Sequence, residues 1–424
     1  MPDTSLHLLA RCAALWGLAV LLGGLGEARA GGFELAQQGA AASGVGHAGV
    51  ARTEDPAAAW FNPAALADGG GLRVGLGASL GGSTIVATAL DGAADGPWEA
   101  RTNNALSAPP YGYVSFSNAD WAAGVAVNLP FAGGVRWEDD WVQRFDIVQS
   151  APRFARVAGF FAYRLGPVRL AVGPHVDFGA LTLRKATNHI DSEGTAEILV
   201  RGVGAGVDAS LLVRFSAYAQ LGFAYKSRTV LSLSGEADFE VPAAFQSRFP
   251  DQTVTSAMTL PDRFTLGAAF HPKGVERLGL HVEAGLTLWA VNQEMVLDFA
   301  DAATSDTTIT NGWRNSLALR GGAEIELHRI VLVRAGGYVD GLTGAPPPAE
   351  TLAPSSPDST RLGVTVGGRI QPIEGLAFDL YYEHMELLRR ESASLDAPEA
   401  AYRGSANLGG LSVSVTVPVK RRAE

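Results

Sequence analysis

Three glycines near the N-terminus have a spacing that occurs in nucleotide-binding proteins. The run Gly44-x-Gly46-x-x-Gly49 matches the fingerprint of a dinucleotide-binding turn. That turn needs a strand before it and a βαβ unit around it, because the glycines let the backbone close on a pyrophosphate at a helix N-terminus. No strand pattern precedes these glycines and no βαβ pattern follows them. The sequence therefore predicts no nucleotide at this position.

The residues of metal and hydrolytic chemistry are scattered along the chain. No histidine lies in an H-E-x-x-H helix or in a cysteine–histidine cluster, so we expect no zinc site and no cofactor. There is also no G-x-S-x-G elbow. His281 and Glu283 share one face of a predicted strand, and a serine from another strand could complete a hydrolase site. A lipase or protease is the enzymatic alternative, but the sequence favours a protein that is not an enzyme.

The balance of charged and apolar residues limits the class of protein. The formal net charge of -10 argues against nucleic acid as a partner. Hydrophobic residues make up 47% of the chain and charged residues only 18%, which is less charge than a soluble protein of this length usually carries. After residue 30 no run of eighteen apolar residues occurs, so no transmembrane helix is predicted. Closed barrels are the other structure that satisfies every backbone group within a bilayer.

The first thirty residues have the features of a secretory signal. Arg11 precedes an apolar stretch at 12–25, and an A-x-A cleavage site follows at 28–30. The stretch is too short and too rich in glycine for a transmembrane anchor, and Cys12 precedes most of it, whereas a lipoprotein cysteine would follow it. We predict a signal peptide at residues 1–30 and a mature chain that starts at Gly31. Cys12 is the only cysteine, so the mature chain would have no disulfide.

From residue 72 onward the hydrophobic pattern has a period of two. Leu72, Val74, Leu76, Ala78 and Leu80 alternate with polar or small residues. The same alternation recurs near 121–131, 317–327, 362–370 and 411–419. One face of each segment is apolar and the other holds charges, hydroxyls and glycine, which is typical of a transmembrane β-barrel.

About fourteen such segments can be counted, an even number as bacterial barrels require. They lie near residues 72–89, 109–119, 120–132, 150–166, 167–188, 197–215, 217–238, 255–271, 276–298, 314–327, 330–340, 359–371, 375–390 and 404–419. Short turns, such as 118–120 and 166–167, alternate with long polar loops, and in this class the short turns face the periplasm. We predict an all-β fold, a 14-stranded antiparallel transmembrane barrel over residues 71–424.

Residues 31–70 do not alternate and are dense in glycine and alanine. They nevertheless carry large apolar side chains, which a solvated tail would not need: Phe33, Leu35, Trp60, Phe61 and Leu66. We therefore predict that this segment is a plug inside the barrel lumen and not a disordered tail.

The order of several short motifs carries a resemblance to a known family. Gly32-Phe33-Glu34-Leu35, then the glycine–alanine segment, then Phe61-Asn62-Pro63-Ala64 resemble the N-terminal hatch of the FadL/TodX family. Further stretches fit the same family in order, at 129–131, 222–227, 260–264, 312–313, 333–338 and 357–358. The resemblance covers essentially the whole mature chain.

The resemblance implies a fourteen-stranded barrel with an N-terminal hatch, in the outer membrane of a Gram-negative bacterium. It implies passive uptake of hydrophobic compounds, either long-chain fatty acids or aromatic hydrocarbons. The implied partners are these small molecules, outer-membrane lipid and lipopolysaccharide, and the barrel assembly machinery, with the protein as a monomer. A structural or adhesive barrel is the alternative, and it would lack the plug. One departure is that family barrels usually end on an aromatic residue, whereas here Val419 is followed by a polar tail.

The family also implies a gap in the barrel wall beside the hatch. By resemblance, Asn62, Pro63 and Ala64 would lie near this gap and take part in gating, although a plain Asx-Pro turn is the alternative. Gly124 lies in the third predicted strand and could mark the kink that opens the wall, although glycine is common in these strands.

A fatty acid carboxylate would favour a cation in the lumen. Arg73, Arg320 and Arg369 lie on the polar faces of their predicted strands, so they are candidate substrate-binding residues. The alternative is that they pair with lumen acids such as Glu283, Glu324 and Glu326.

Overall fold

The structure is a computed structural model, and it describes residues 32–53, 55–90, 96–189, 191–302, 304–393 and 399–418. The predicted signal peptide at 1–30 and the polar tail after residue 418 lie outside the described residues.

Antiparallel pairing joins twenty strand segments of the described chain into one sheet. They are β1 (Gly71–Ala89), β2 (Glu99–Arg101), β3 (Pro110–Ser117), β4 (Trp121–Ala132), β5 (Val135–Arg136), β6 (Gln149–Leu165), β7 (Val168–Asn188), β8 (Glu193–Arg214), β9 (Ala219–Lys226), β10 (Thr229–Glu240), β11 (Gln252–Leu260), β12 (Arg263–Phe270), β13 (Leu278–Thr287), β14 (Glu294–Phe299), β15 (Thr307–Thr310), β16 (Ser316–His328), β17 (Val331–Asp340), β18 (Arg361–Ile373), β19 (Leu376–Glu391) and β20 (Ala400–Val417).

These segments form fourteen strands of the barrel wall. Six pairs of consecutive segments each follow one path across the wall: β2 with β3, β4 with β5, β9 with β10, β11 with β12, β13 with β14, and β15 with β16. The other eight segments each cross it alone. The first strand pairs with the last from Leu72↔Val417 to Ala89↔Ala400, so the described sheet closes on itself as a barrel. The predicted fourteen-stranded antiparallel barrel is confirmed.

The period-two pattern places apolar side chains on the outside of the wall. Leu80, Val364 and Leu411 are each more than half exposed on this outer surface, where lipid would cover them. The opposite face points into the lumen, where charged side chains such as Arg334 and Glu383 are buried.

In part of the wall the apolar face points inward instead. On β10 the side chains of Leu231 and Leu233 are buried inside, while Ser232 and Ser234 are exposed outside. On β14 Met295 is likewise buried inside. These segments lie on the side of the long loops.

The β4 strand contains an irregularity that redirects one side chain. Its pairing with β6 shifts register between Asn128 and Phe131, on either side of Pro130. Both Asn128 and Phe131 are therefore buried in the lumen, although they are three positions apart and a regular strand would turn them to opposite faces. A strand irregularity of this kind commonly changes the direction in which a side chain points.

The N-terminal segment, residues 32–70, packs inside the lumen and is called the hatch below. It contains α1 (Ala40–Ser43), α2 (Ala58–Phe61) and a 3₁₀ helix (Pro63–Asp68), and nearly all of its described residues are buried. Further 3₁₀ helices lie at Trp289–Val291 and Ala349–Thr351. No helix in the described ranges is long and apolar enough to span a membrane.

Wall glycines let the hatch backbone approach the sheet closely. A Cβ atom at Gly222 would lie 2.2 Å from the carbonyl oxygen of Val50, and one at Gly336 would lie 2.3 Å from the amide nitrogen of Gly46. Any larger side chain at these positions would push the hatch off the wall.

Candidate functional site

A large cavity opens above the hatch, on the side of the long loops, and is called the upper cavity. Its volume is about 810 Å³. Its walls are formed by the upper ends of β6, β7, β8, β10, β11, β14 and β15. Its apolar lining includes Phe145, Ile147, Leu181, Leu183, Ile198, Phe239, Met258, Met295, Leu297, Phe299, Ile309 and Trp313.

Charged residues also line the upper cavity. Arg184, Lys185 and Arg248 are the basic ones, and His189 lies beside them on the same lining. Asp146 belongs to the loop before β6, where burial raises the pKa of its carboxyl and Lys185 partly offsets the rise. The cavity therefore combines an apolar interior with basic side chains, of which Arg184 pairs with Asp139 at 3.0 Å, and with the acidic side chains of Asp146 and Glu350.

The floor of the upper cavity is an aromatic cluster around Phe33 of the hatch. The ring of Phe33 lies 4.8 Å from that of Trp289, 5.7 Å from that of Phe154 and 5.8 Å from that of Phe131, measured between centroids. Phe131 takes part because the irregularity in β4 turns it inward. A side chain of the hatch thus closes the bottom of the cavity.

The hatch also fills a break in the wall between β3 and β4. Their pairing ends at Gly112↔Val127, and among the described residues no backbone pairing joins 105–110 to 129–135. Instead, the amide of Leu35 donates to the carbonyl of Pro130 at 2.8 Å, and the amide of Ala132 donates to the carbonyl of Phe33 at 2.8 Å. This break, bordered by 105–110 and 129–135, is called the side window.

Below Phe33 a small charged space borders the hatch, and it is called the lower chamber. It has a free volume of about 20 Å³, about the room for one water molecule. Its lining includes Glu34, Trp60, Lys226, Arg263, Glu283 and Arg320. The carboxylate of Glu34 pairs with Arg263 at 2.5 Å and accepts a hydrogen bond from the hydroxyl of Thr287 at 3.0 Å.

Further down, acidic side chains of the wall hold the hatch backbone. The Oε2 atom of Glu283 accepts hydrogen bonds from the amides of Gly49 and Val50, each at 2.9 Å. Nε2 of His47 lies 3.1 Å from Oε2 of Glu383. These carboxylates satisfy donors that would otherwise be buried without a partner.

The three residues of the predicted gating motif join the hatch to the wall. The Nδ2 group of Asn62 donates to the carbonyls of Val50 at 2.8 Å and Leu211 at 3.0 Å. Pro63 begins the 3₁₀ helix, and the amide of Ala64 donates to the hydroxyl of Ser210 at 3.2 Å. The motif therefore contacts β8, not the side window, and its role in gating stays a prediction.

Gly124 lies in a regular part of β4. It pairs with Ser115 on one side and with Phe160 on the other. A Cβ atom here would lie 2.4 Å from the carbonyl oxygen of Val114, so close packing explains the glycine. The irregularity of β4 comes later, between Asn128 and Phe131.

The three predicted substrate-binding arginines are dispersed in the lumen and none lines the upper cavity. Arg320 pairs with Glu283 at 3.0 Å and lines the lower chamber. Arg369 donates two hydrogen bonds to Asp379 in a bidentate pair, from Nε to Oδ1 and from Nη2 to Oδ2, each at 2.9 Å. Arg73 donates to the carbonyl of Thr53 at 3.4 Å. Substrate binding by these residues stays a prediction.

The part of the chain that the structure describes contains no group of three or more histidine, cysteine or acidic side chains that could hold a metal ion. His281, part of the hydrolase alternative, lies 3.1 Å from Glu324 and 3.1 Å from Nη1 of Arg52. It belongs to the ionic contacts that seat the hatch.

The family model that describes outer membrane protein transport proteins (OMPP1/FadL/TodX) matches residues 24–416. The chain belongs to this family. FadL/TodX proteins are transport channels of the outer membrane and not enzymes, which confirms the predicted location and excludes the hydrolase alternative. No relative among curated proteins matches the sequence.

Solved structures of FadL/TodX proteins share the fold. A FadL homologue of Pseudomonas aeruginosa superimposes with a TM-score of 0.79 at 18% identity, covering 91% of this chain and 99% of the other. The toluene transporter TodX of Pseudomonas putida gives 0.71 at 16% identity, covering 91% and 100%. The toluene transporter TbuX of Ralstonia pickettii gives 0.69 at 17% identity, covering 89% and 98%.

The orientation of a FadL/TodX barrel follows from its connections. The short turns, such as that between β6 and β7, face the periplasm, and the long loops face the exterior. The upper cavity therefore opens toward the exterior, and the hatch closes the route below it.

Sequence reasoning missed the residues that shape this FadL/TodX site most directly. Trp289 and Trp313 lie in irregular connections, and Arg263 follows a break between β11 and β12. One signal was available in the sequence of β10. There serine alternates with leucine, and the serines occupy the outer face, which would have to be apolar in a strand that faces lipid. That inversion indicates that the apolar face of this part of the wall points into the barrel.

Proposed function

We propose that this protein takes up long-chain fatty acids passively, holding them first in the upper cavity and releasing them sideways into the outer membrane. The observation that carries the proposal is the upper cavity. Its interior is largely apolar, its lining includes basic residues, and the hatch forms its floor. An acyl chain fits the apolar interior, and a carboxylate fits the cations Arg184, Lys185 and Arg248.

The size of the cavity favours a long chain over a single aromatic ring. An engineered cavity of about 150 Å³ already holds a benzene molecule. The upper cavity, at about 810 Å³, is several times larger. Uptake of aromatic hydrocarbons is the second candidate, because TodX and TbuX are toluene transporters of the same fold.

Sideways release has an energetic reason. Returning an acyl chain to water costs about 0.8 kcal/mol per CH₂, on the order of 10 kcal/mol for a sixteen-carbon chain. Release through the side window would pass the chain from protein directly into lipid. The window's position beside Phe33 supports this route, because the residue that closes the cavity floor also lies along the window.

The proposal includes the organisation of the whole chain. Residues 1–30 would be removed on export, residues 31–70 would form the hatch, and residues 71–424 would form the barrel. The protein would act as a monomer. Outer-membrane lipid and lipopolysaccharide would surround it, and the barrel assembly machinery would insert it.

The most direct test is to identify what the protein binds. The mature protein, purified from outer membranes, would be extracted and analysed by mass spectrometry, and palmitate and toluene would then be titrated into the delipidated protein. We expect bound long-chain carboxylic acids and saturable binding of palmitate. Selective retention of aromatic compounds would instead support the second candidate, and a folded protein that binds neither ligand would overturn both.

A further inference from the structure

Two arginines lie at the same height on three neighbouring strands of the wall. The register pairs Arg153 of β6 with Ala180 of β7, and it pairs Ala180 with Arg201 of β8. Neighbouring strands lie about 4.8 Å apart, so the backbones of the two arginines are about 10 Å apart. The residue between them has a side chain of only one methyl group. Arg153, Ala180 and Arg201 are together called the arginine notch.

The side chains of the arginine notch point away from the lumen. Phe154 belongs to the aromatic cluster beneath the upper cavity, and Leu181 lines that cavity. Because side chains alternate along a strand, Arg153 and Ala180 point to the outer surface. Arg201 is exposed on the same surface. The notch is therefore a feature of the outside of the barrel, separate from the cavity and from the hatch.

Both arginines of the notch are without a carboxylate partner among the described residues. Acidic side chains occur on this outer face further toward the exterior. Glu236 of β10 is opposite Leu199 of β8, two residues beyond Arg201, and Glu197 follows on β8. Two guanidinium groups on one small patch thus remain able to bind an anion from outside the chain.

The height of the notch matches the outer boundary of the hydrocarbon zone. Ala180 lies twelve residues beyond Val168, where β7 leaves the periplasmic turn. That is about 40 Å along the strand and, at a strand tilt of about 40°, about 30 Å across the membrane. The hydrocarbon core of a bilayer has about this thickness. The arginines therefore lie where lipid chains end and head groups begin.

The residues around the notch change character at the same height. On the periplasmic side of it, the outer face of β7 and β8 is apolar: Val172, Val176, Phe178, Val203, Ala205 and Val207. Beside the notch and on its exterior side, the neighbouring outer positions carry hydroxyl groups: Thr182, Ser234 and Thr255. The patch thus offers an apolar surface, then two cations, then hydrogen-bonding groups, in order from the membrane outward.

We propose that the arginine notch binds a phosphate group of lipid A, the phosphorylated glycolipid of the outer leaflet. Guanidinium groups bind phosphate through paired, charge-assisted hydrogen bonds, and two of them can hold one phosphate above Ala180. The acyl chains of the glycolipid would lie on the apolar surface below, and its sugars would meet the hydroxyl groups. A glycerophospholipid has a phosphate but no sugar at this height, so the hydroxyl groups favour the glycolipid.

The site lies beside the proposed exit. Arg153 is opposite Ala132, which belongs to the border of the side window. A glycolipid held in the notch would therefore occupy the outer surface next to the window. The inference depends on the location in the outer membrane and not on the compound that is carried, so it goes beyond the proposed function.

Binding of purified lipid A tests the assignment. The mature protein, freed of lipid in a neutral detergent, would be titrated with lipid A and with lipid A whose phosphates have been removed enzymatically. Native mass spectrometry would give the bound fraction at each concentration. We expect the phosphorylated form to bind at least about tenfold more tightly. Phosphatidylglycerol, the glycerophospholipid arm of the test, should bind at least about tenfold more weakly than lipid A.

Matched variants locate the bound phosphate. Arg153→Gln and Arg201→Gln should each weaken lipid A binding about tenfold and leave the binding of the phosphate-free form unchanged. Ala180→Glu places a carboxylate between the arginines and should weaken it at least as much. Arg329→Gln removes an exposed arginine from a periplasmic turn and should have no effect. Circular dichroism would confirm that each variant keeps the β-barrel.

Equal affinity for lipid A with and without its phosphates would overturn the proposal, as would equal losses in Arg201→Gln and Arg329→Gln. Phosphatidylglycerol that binds as tightly as lipid A would overturn the assignment to a glycolipid. The proposed function is tested separately, because Arg201→Gln should leave the affinity for palmitate unchanged whether or not lipid A binds.

Discussion

At the residue scale, most charged side chains of the lumen serve to seat the hatch. Arg52 pairs with Glu324 at 3.1 Å, and Glu283 holds both the hatch amides and Arg320. The sequence could show that arginines and acids share the lumen face. It could not show which of them meet, because the pairing depends on the register between distant strands.

The Asn62 side chain gives a prediction at this scale. Replacing Asn62 with alanine removes one donor from the buried carbonyl of Val50 and one from the partly buried carbonyl of Leu211, which should cost about 2 kcal/mol of local hatch stability. Hydrogen exchange of the hatch amides should then be about thirtyfold faster, while the amides of the wall strands keep their rates. The exposed Asn188→Ala change is the control, and equally slow exchange in both variants would argue against a fastening role for Asn62.

At the scale of the elements, period-two alternation was sufficient to predict the number of wall strands. Each strand turns one face to lipid, so every second residue of its sequence must be apolar. The irregularity of β4 was not predictable in the same way. Pro130 marks it, but the inward turn of Phe131 depends on the aromatic cluster that the hatch and the loop after β13 complete.

Two alanines of β8 test the role of the upper cavity. Ala196 lines the cavity, whereas Ala205 lies on the same strand with its side chain exposed on the outer face. Ala196→Trp should fill part of the cavity and weaken palmitate binding at least about tenfold, as measured by titration calorimetry. Ala205→Trp should leave binding unchanged. Similar affinities in the two variants would place the ligand elsewhere.

A reversible cross-link tests the side window. Continuing the register of the bridge Glu34↔Phe131 by two residues would set Ala36 opposite Leu129, so a cysteine pair at these positions would tie the hatch segment to the window. We expect the oxidised Ala36→Cys/Leu129→Cys protein to bind palmitate but to release it slowly into vesicle lipid, with reductant restoring the rate. Release at the normal rate by the fully oxidised protein would rule out the window as the exit.

At the scale of the whole molecule, the barrel and its hatch stabilise each other. The closed sheet satisfies the backbone of the wall, and the hatch satisfies the charges that point into the lumen. The fold class and the plug were therefore predictable from composition and alternation together with the order of the hatch motifs. The cavity was not, because its lining comes from seven wall strands and several loops that only the folded chain brings together.

The central claim is that the plugged barrel carries long-chain fatty acids across the outer membrane. The most direct measurement is the uptake of radiolabelled palmitate by Gram-negative cells that lack their own fatty acid transporter and express this protein. Cells with the unmodified protein or with Ala205→Trp should take up palmitate at least several-fold faster than empty cells, and cells with Ala196→Trp should not. Background uptake by cells whose outer membrane contains the correctly folded, unmodified protein would contradict the account.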